Sequence, residues 1–117
     1  MIAEIVNHIT GEIDLTINAG AIFYVRGTGL KIESDDLHTD QAGLFLEDAT
    51  TGARTKIDAV NIALNMPHEI RAIAPATITA GQQYYVVVCT QSSAKSSSGR
   101  LLKDIREMKS DFTVTVQ

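Results

Sequence analysis

The sequence predicts an all-β domain, an antiparallel sandwich of about seven strands. Three observations support this prediction. Apolar and polar residues alternate in several short segments, Gly, Pro and Asn residues separate these segments, and no segment of about ten or more residues has the apolar spacing of a helix. A chain of 117 residues is long enough to bury one core, so residues 1–117 are expected to form a single domain. A small β-barrel is the alternative all-β architecture.

The predicted strands are short and evenly spaced, which is typical of an immunoglobulin-like sandwich. They cover residues 12–18, 21–26 with a continuation at 30–32, 43–47, 54–58, 68–74, 84–89 and 110–117. The clean alternation of residues 12–18 puts Ile13, Leu15 and Ile17 on one face. Residues 84–89 are apolar on both faces and are therefore predicted at the centre of a packed sheet.

The sequence also predicts the conformation of several segments outside these strands. Residues 1–11 are interpreted as a leading segment and the serine-rich residues 92–99 as a flexible loop. Residues 59–66 and 101–108 fit either a turn of helix or a further strand. The glycines that interrupt the strand pattern at residues 27–29 indicate a bulge or a close backbone approach.

Tyr84 has a predicted structural role of its own. It follows the turn at Gly81 and stands near the start of the strongest predicted strand. In immunoglobulin-type folds a tyrosine at this position often donates a corner hydrogen bond to upstream backbone. We therefore expect Tyr84 to make such a bond rather than to serve as a platform for a sugar.

Charge is unevenly distributed along the chain, and this bears on nucleic-acid binding. The chain carries 14 acidic and 10 basic side chains, and residues 1–94 hold the acidic excess. The basic side chains near the C-terminus are Lys95, Arg100, Lys103, Arg106 and Lys109. No aromatic residue lies between the first and the last of these to stack on a base. These five residues are thus weak candidates for DNA contact, and a solvated loop and strand edge is the favoured interpretation.

No residue pattern indicates an enzyme, a metal site or a cofactor. Cys89, as the single cysteine, excludes an internal disulfide, and its place in an apolar strand predicts a buried, inert thiol. His8, His38 and His68 lack the spacing of metal ligands. No serine stands in a G-x-S-x-G motif. The acidic residues 33–41 offer oxygen ligands for calcium but lack the spacing and central glycine of an EF-hand loop, so no calcium site is assigned.

Targeting signals are not visible in the sequence. The N-terminus lacks the basic start and the long apolar stretch of a signal peptide. The longest apolar run, residues 84–89, is too short for a membrane helix, so no membrane contact is expected.

An ordered set of short motifs resembles a family of bacterial Ig-like domains of uncharacterised function. The motifs are Gly27-Thr28-Gly29-Leu30-Lys31-Ile32, Gly43-Leu44-Phe45-Leu46, Asn65-Met66-Pro67, Pro75 with Ala80-Gly81 and Tyr84, Val88-Cys89-Thr90-Gln91, and Leu101-Leu102-Lys103 with Arg106. The resemblance covers residues 10–117, and the first motif is also similar to TIG-type domains. This chain departs from the family pattern by one extra residue between Gly81 and Tyr84 and by Ile105 in place of a proline.

The resemblance implies a non-enzymatic accessory or assembly module. In that family the domain typically follows an N-terminal HU-like DNA-binding domain, so the whole protein would be nucleoid-associated and cytoplasmic, and the neighbouring domain would contact DNA. A protein partner or a second copy would dock on an exposed sheet edge, for which residues 12–18 and the strand ending at Val116 are the candidates. An exported adhesion or carbohydrate-binding module that uses the 33–41 and 92–99 loops is the alternative.

Overall fold

Short β-strands make up the regular structure of the chain. The computed structural model describes residues 1–93 and 101–117. The strands are β1 (Ile2–Asn7), β2 (Thr16–Ile17), β3 (Ile22–Gly27), β4 (Gly43–Asp48), β5 (Arg54–Lys56), β6 (Ile62–Asn65), β7 (Glu69–Ile73), β8 (Gln83–Ser92), β9 (Leu101–Lys109) and β10 (Val114–Val116), and a 3₁₀ helix, Ala59–Asn61, precedes β6. Within these residues no helix has the length and apolar character needed to cross a membrane.

The strands form two sheets. The first has the order β1-β3-β7-β6, and every pair in it is antiparallel. The second has the order β2-β10-β8-β4-β5. In the second sheet β10 pairs with the beginning of β8 and β9 with the rest of that strand, while β2 runs parallel to β10. This architecture confirms the predicted all-β, immunoglobulin-like sandwich.

Alternation along the strands builds the core between the two sheets. The fully buried side chains include Ile5, Ile17, Phe23, Val25, Leu44, Leu46, Ile70, Ala72, Val86, Val88 and Val114. Complete burial of one large aliphatic side chain stabilises the fold by about 1.5–3 kcal/mol, so this set supplies most of the driving force for folding. Ile70, Ala72 and Ala74 are buried on one side of β7, as their alternation predicts.

The strand β8 is buried on both faces, which confirms the prediction for residues 84–89. Val86 and Val88 belong to the core cluster, whereas Val87 points to the opposite face and is also fully buried. The neighbours of Val87 across the sheet are Phe45 on β4 and Lys109 on β9. Side chains of the adjacent strands therefore cover an outer sheet face that lacks a second layer.

The prediction of a continuous strand over residues 12–18 is wrong. Only β2 is a regular strand there, and Ile13 makes a single isolated bridge to Val6. Ile13 and Leu15, predicted on one face with Ile17, are 51% and 58% exposed, whereas Ile17 is buried. The physical reason is Asp14, whose φ of 60° turns the chain out of the extended conformation. Its backbone N–H donates to the Ile5 carbonyl at 2.8 Å, and its carboxylate accepts the Ile5 N–H at 2.7 Å. Asp14 thereby caps the open edge of β1.

Residues 1–11 are part of the sandwich rather than a leading segment. They contribute β1, which pairs with β3, because Ile2 and Ile5 supply apolar side chains to the core. The buried Asn7 then joins β1 to the β2 region. Its amide nitrogen donates to Thr16 Oγ1 at 2.9 Å and to Asn18 Oδ1 at 2.7 Å.

The glycine-rich bend after β3 is a close backbone approach, as predicted. A Cβ atom at Gly27 would lie 1.9 Å from the Met1 carbonyl oxygen, so no larger residue fits there without movement of the N-terminus. The expected continuation of the strand over residues 30–32 is wrong, because this segment bonds to a side chain instead of a strand. The Asn65 amide accepts from the backbone N–H of Ile32 at 2.8 Å and donates to its carbonyl at 2.9 Å.

Three further expectations have clear outcomes. Residues 59–66 contain both alternatives, the 3₁₀ helix and then β6, and residues 101–108 belong to the strand β9. The Tyr84 hydroxyl donates to Gln82 Oε1 at 2.8 Å, so the predicted bond to upstream backbone is wrong. The side-chain oxygen of Gln82, two residues upstream, lies within hydrogen-bond distance of the hydroxyl and takes the place of the expected backbone carbonyl. Most of the predicted 92–99 loop lies outside the described residues.

The buried outer face of β8 predicts an unusual cost for a conservative substitution. Val87→Thr keeps the side-chain volume but places a hydroxyl at a position that is closed to water. The free energy of unfolding, measured by urea denaturation, should therefore fall by about 1–3 kcal/mol. The matched control is Val60→Thr in the 3₁₀ helix, where the side chain is 85% exposed and the change should stay within about 0.5 kcal/mol. Equal effects for the two variants would contradict this account of β8.

Candidate functional site

The predicted DNA-contact residues lie in and just before β9. Lys95 and Arg100 fall outside the described residues. Lys103, Arg106 and Lys109 all stand on β9 and occupy three different environments. These environments decide which of them is available to a phosphate.

Arg106 is committed to holding the backbone. Its Nη2 donates to the carbonyls of Gly29 and Ser92 at 2.7 Å and 2.8 Å, and its Nε also reaches the Ser92 carbonyl at 3.2 Å. The remaining Nη1 contacts the Met108 sulfur at 3.2 Å. Arg106 therefore joins β9 to the end of β8 and to the bend after β3, and a phosphate would have to displace these bonds.

Lys109 belongs to an ion-pair network across the outer face of the second sheet. Its ammonium pairs with Glu47 on β4 and lies 4.3 Å from the centre of the Tyr85 ring. Arg54 on β5 donates from Nε to Glu47 at 2.9 Å and from Nη1 to Glu107 on β9 at 2.7 Å. The charged residues of this network stand on β4, β5 and β9, on both sides of β8, and its two positive and two negative groups neutralise each other.

Glu47 is the centre of this network. Hydrogen bonds from Lys109 and then from Arg54 favour the charged carboxylate and lower the pKa of Glu47 below its ordinary value.

The Cys89 thiol lies close to Glu107, and burial raises the pKa of the thiol. The thiol is 4% exposed, which agrees with the buried cysteine predicted from the sequence.

Lys103 is exposed, as Lys109 is, but its ammonium makes no ion pair with any residue that the structure describes. It stands where the pairing of β8 with β9 shifts register, between the Thr90–Arg106 and Ser92–Leu101 pairs. The buried Gln91 fills this irregularity. Its Nε2 donates to the carbonyls of Leu102 and Lys103 at 2.9 Å and 3.2 Å.

The acidic segment 33–41 is fixed by the same glutamine. Gln91 Oε1 accepts the backbone N–H of Asp35 at 2.7 Å, and Gln91 Nε2 donates to the Asp35 carboxylate at 3.2 Å. The Asp35 carboxylate also bonds to the His38 ring nitrogen at 2.7 Å, and this bond is the main cause of a lowered Asp35 pKa. Among residues 1–93 and 101–117, no group of three His, Cys, Asp or Glu side chains has the geometry to hold a metal ion.

The histidines do not converge. His8 bonds through Nδ1 to the Tyr24 hydroxyl, His38 bonds to Asp35, and His68 lies in the turn between β6 and β7. Each therefore belongs to a separate part of the sandwich, as the long sequence spacing between them suggests.

A second charged group, which the sequence analysis missed, covers the outer face of the first sheet. Glu69 on β7 accepts from Arg26 at 2.8 Å and from Arg71 at 2.7 Å, and Arg26 also reaches Glu4 on β1 at 3.4 Å. Both guanidinium groups lie near the Tyr24 ring, at 5.5 Å and 4.9 Å from its centre. The polar residues Arg26, Glu69 and Arg71 could have indicated this group, because they occupy alternate, outward positions of β3 and β7.

A pocket of about 190 Å³ opens where the second sheet passes to the first. The 33–42 segment forms one wall, and the end of β5 with the 3₁₀ helix forms the other. Its lining includes Ile32, Glu33, Ala42, Lys56, Ile57 and Ile62. No sequence pattern indicates this pocket, because its walls come from segments that are distant along the chain.

The edges of the sheets differ from the expected ones. The strand ending at Val116 is not an edge, because β10 lies between β2 and β8. The C-terminal residues are drawn into the sheet by their bonds to β2, including the Thr115 N–H to the Leu15 carbonyl at 2.9 Å. β2 does stand at an edge, as do β1 and β6 in the first sheet and β5 and β9 in the second. The residues of β5 are exposed throughout, and those of β9 are mostly charged.

The lowered pKa of Glu47 predicts that the network loses its stabilising effect in acid. A carboxyl with a depressed folded-state pKa stabilises the fold above its unfolded-state pKa of about 4.3 and loses this effect as the pH falls through the folded value. Wild type should therefore be more stable than Glu47→Gln at pH 7, and the difference should shrink as the pH is lowered to 3, measured by urea unfolding. In a Lys109→Met background the same substitution should show a smaller pH dependence, whereas a difference that does not vary with pH would contradict the network.

Comparison with known proteins supplies a family and a structural relative. No curated protein matches this chain. A crystal structure of a protein from Bacteroides vulgatus, provisionally named a bacterial DNA-binding protein, superposes with a TM-score of 0.86 and shares 30% sequence identity. The match covers 99% of this chain and 46% of that protein, so this chain spans about half of its relative. Residues 1–108 match the family described as a domain of unknown function (DUF4469) with an Ig-like fold, and the chain therefore belongs to that family.

Proposed function

We propose that this chain is a non-enzymatic accessory module of a larger DNA-binding protein and that another part of that protein contacts the DNA. One observation carries the proposal. The relative from Bacteroides vulgatus is provisionally named a DNA-binding protein, and this chain corresponds to only 46% of its length. The rest of such a protein has room for a separate DNA-binding domain, and an HU-like domain preceding this one in a cytoplasmic, nucleoid-associated protein is the specific form that we propose.

The charges on β9 support an accessory role. Nucleic-acid affinity depends on lysines and arginines that are free to neutralise phosphates. Arg106 is bonded to backbone carbonyls and Lys109 is paired with Glu47, so two of the three described candidates already have partners within the sandwich. Lys103 is exposed, but one such lysine among the three described candidates, on an acidic body, gives little affinity for DNA.

The environment of the one potential thiol nucleophile supports a non-catalytic role. Burial raises the pKa of the Cys89 thiol, whereas a nucleophilic cysteine needs a lowered pKa and access to substrate. The nearby Glu107 carboxylate is ion-paired to Arg54 and adds negative charge, which disfavours a thiolate still further. The surroundings of Cys89 therefore suit a packing residue and do not suit a nucleophile.

An accessory module of this kind acts through protein contacts, with either a second copy or another protein. The exposed edge of β5 offers unpaired backbone groups to a partner strand, and the side chains of Arg54–Lys56 would set the register. At β1, by contrast, Asp14 bonds to both backbone groups of Ile5 and blocks strand addition. Edge docking is therefore proposed at β5 in preference to residues 12–18.

The test is a fluorescence-anisotropy titration of this chain against duplex DNA at low and physiological salt, with the mass in solution measured alongside. The expected dissociation constant is weaker than about 10⁻⁴ M at physiological salt, at the weak limit of non-specific DNA binding. Lys103→Gln is the informative variant, because its side chain is exposed and its removal leaves the network intact. Tight, salt-dependent binding that this variant weakens would show that β9 contacts phosphates and would overturn the proposal.

A further inference from the structure

We propose that the 190 Å³ pocket between the 33–42 segment and the 3₁₀ helix binds an extended, basic peptide segment of a partner protein and takes up one aliphatic side chain of that segment. The inference is independent of whether DNA is contacted elsewhere. It commits to a protein partner because the pocket combines an apolar floor with an acidic rim, and each of these features selects one part of such a peptide.

The floor of the pocket is apolar and well supported. Ile57 and Ala42 are buried, and Ile32 and Ile62 pack against the main core from partly buried positions. A pocket of about 190 Å³ has room for several waters, and few polar atoms on its floor are available to bond them. A branched aliphatic side chain that displaces these waters gains burial of apolar surface at both partners.

The wall formed by Lys56 is held in place. Its ammonium donates to the carbonyls of Thr39 and Asp40 at 3.1 Å and 3.5 Å, which turns the charge toward the loop. Its stem lies against Gly43, where a Cβ atom would approach Lys56 Cε to 2.8 Å. The pocket is therefore preformed, and its one basic residue contributes mostly hydrocarbon to the lining.

The rim is negatively charged. Glu33 lines the pocket, Asp40 directly follows the lining Thr39, and Asp58 lies between the lining residues Ile57 and Ala59. Glu33 pairs with Lys31 at 3.3 Å, and Lys56 adds a second positive charge. The three carboxylates outnumber these two ammonium groups, so the rim keeps a net negative charge. Such a rim attracts lysine and arginine side chains and repels a second copy that presents the same surface.

Two exposed aliphatic residues extend the apolar area beyond the pocket. Leu37 in the 33–42 wall is 87% exposed, and Val60 in the 3₁₀ helix is 85% exposed. These are the most exposed large apolar side chains among the described residues. Single exposed aliphatic residues are ordinary, but one on each of the two walls that line an apolar pocket gives a peptide additional surface on both sides of its anchor.

The test uses three fluorescein-labelled peptides of equal length. The first carries one leucine with three lysines on each side, the second replaces the lysines by glutamates, and the third replaces the leucine by glycine. In fluorescence-anisotropy titrations at low salt we expect the first peptide to bind at least tenfold more tightly than either of the others. Methyl resonances of Ile32, Ile57 and Ile62 should shift only with the first peptide.

A pair of matched variants places the binding in the pocket. Ala59→Phe fills the pocket from an exposed position of its lining, and Ala80→Phe adds the same ring at an exposed alanine of the β7–β8 connection. Binding of the first peptide should weaken at least tenfold in the Ala59 variant and change less than twofold in the Ala80 variant. Thermal unfolding of both variants checks that each one is folded.

Several results would overturn the proposal. Equal affinity for the leucine and glycine peptides would show attraction by charge alone. Equal effects of the two phenylalanine variants, or no binding of the first peptide, would exclude the pocket as its site. A dimer in solution that Ala59→Phe dissociates would assign the pocket to a second copy of this chain instead of a basic partner.

Discussion

The structure depends most on the burial of β8 from both sides. Its core face meets the first sheet through Val86 and Val88, which is the ordinary arrangement of a sandwich. Its outer face has no second layer, and yet Val87 is fully buried. Its cross-strand neighbours there are Phe45 and Lys109. The hydrocarbon stem of Lys109 can cover apolar surface while its charged end pairs with Glu47. The cations of β9 are thus part of the packing of the central strand.

This use of charge connects the fold to the functional proposal. In a DNA-binding surface basic side chains are left free for phosphates, whereas here Arg106 and Lys109 bond within the sandwich. Their commitment leaves a charge-neutral network on the outer face of the second sheet, and the pocket beside the 33–42 segment has an acidic rim. Both properties favour protein partners, and both agree with a chain that spans about half of a relative provisionally named a DNA-binding protein.

Much of the fold could be predicted from the sequence, because residues that alternate along β7 and β10 meet a continuous core and the unbroken apolar run of β8 indicates a central strand. The prediction failed for residues 12–18, where the alternation is equally clear but the positive φ of Asp14 turns Ile13 and Leu15 outward. The buried amide of Gln91 gave no signal, because its partners are carbonyls brought together by an irregular pairing of strands. The ion-pair network and the pocket could not be predicted for a related reason, because both join residues whose proximity depends on the register of the sheets.

Native-state hydrogen exchange tests the central claim most directly. If the β9 cations are committed to sealing β8, the backbone amides of Arg106–Lys109 should exchange with the same opening free energy as those of Val86–Thr90, and this value should equal the global free energy of unfolding. The account is contradicted if the β9 amides exchange through a separate opening of much lower free energy while β8 stays protected. In that case β9 would be a loosely attached arm, and its lysines and arginines would be available to another ligand.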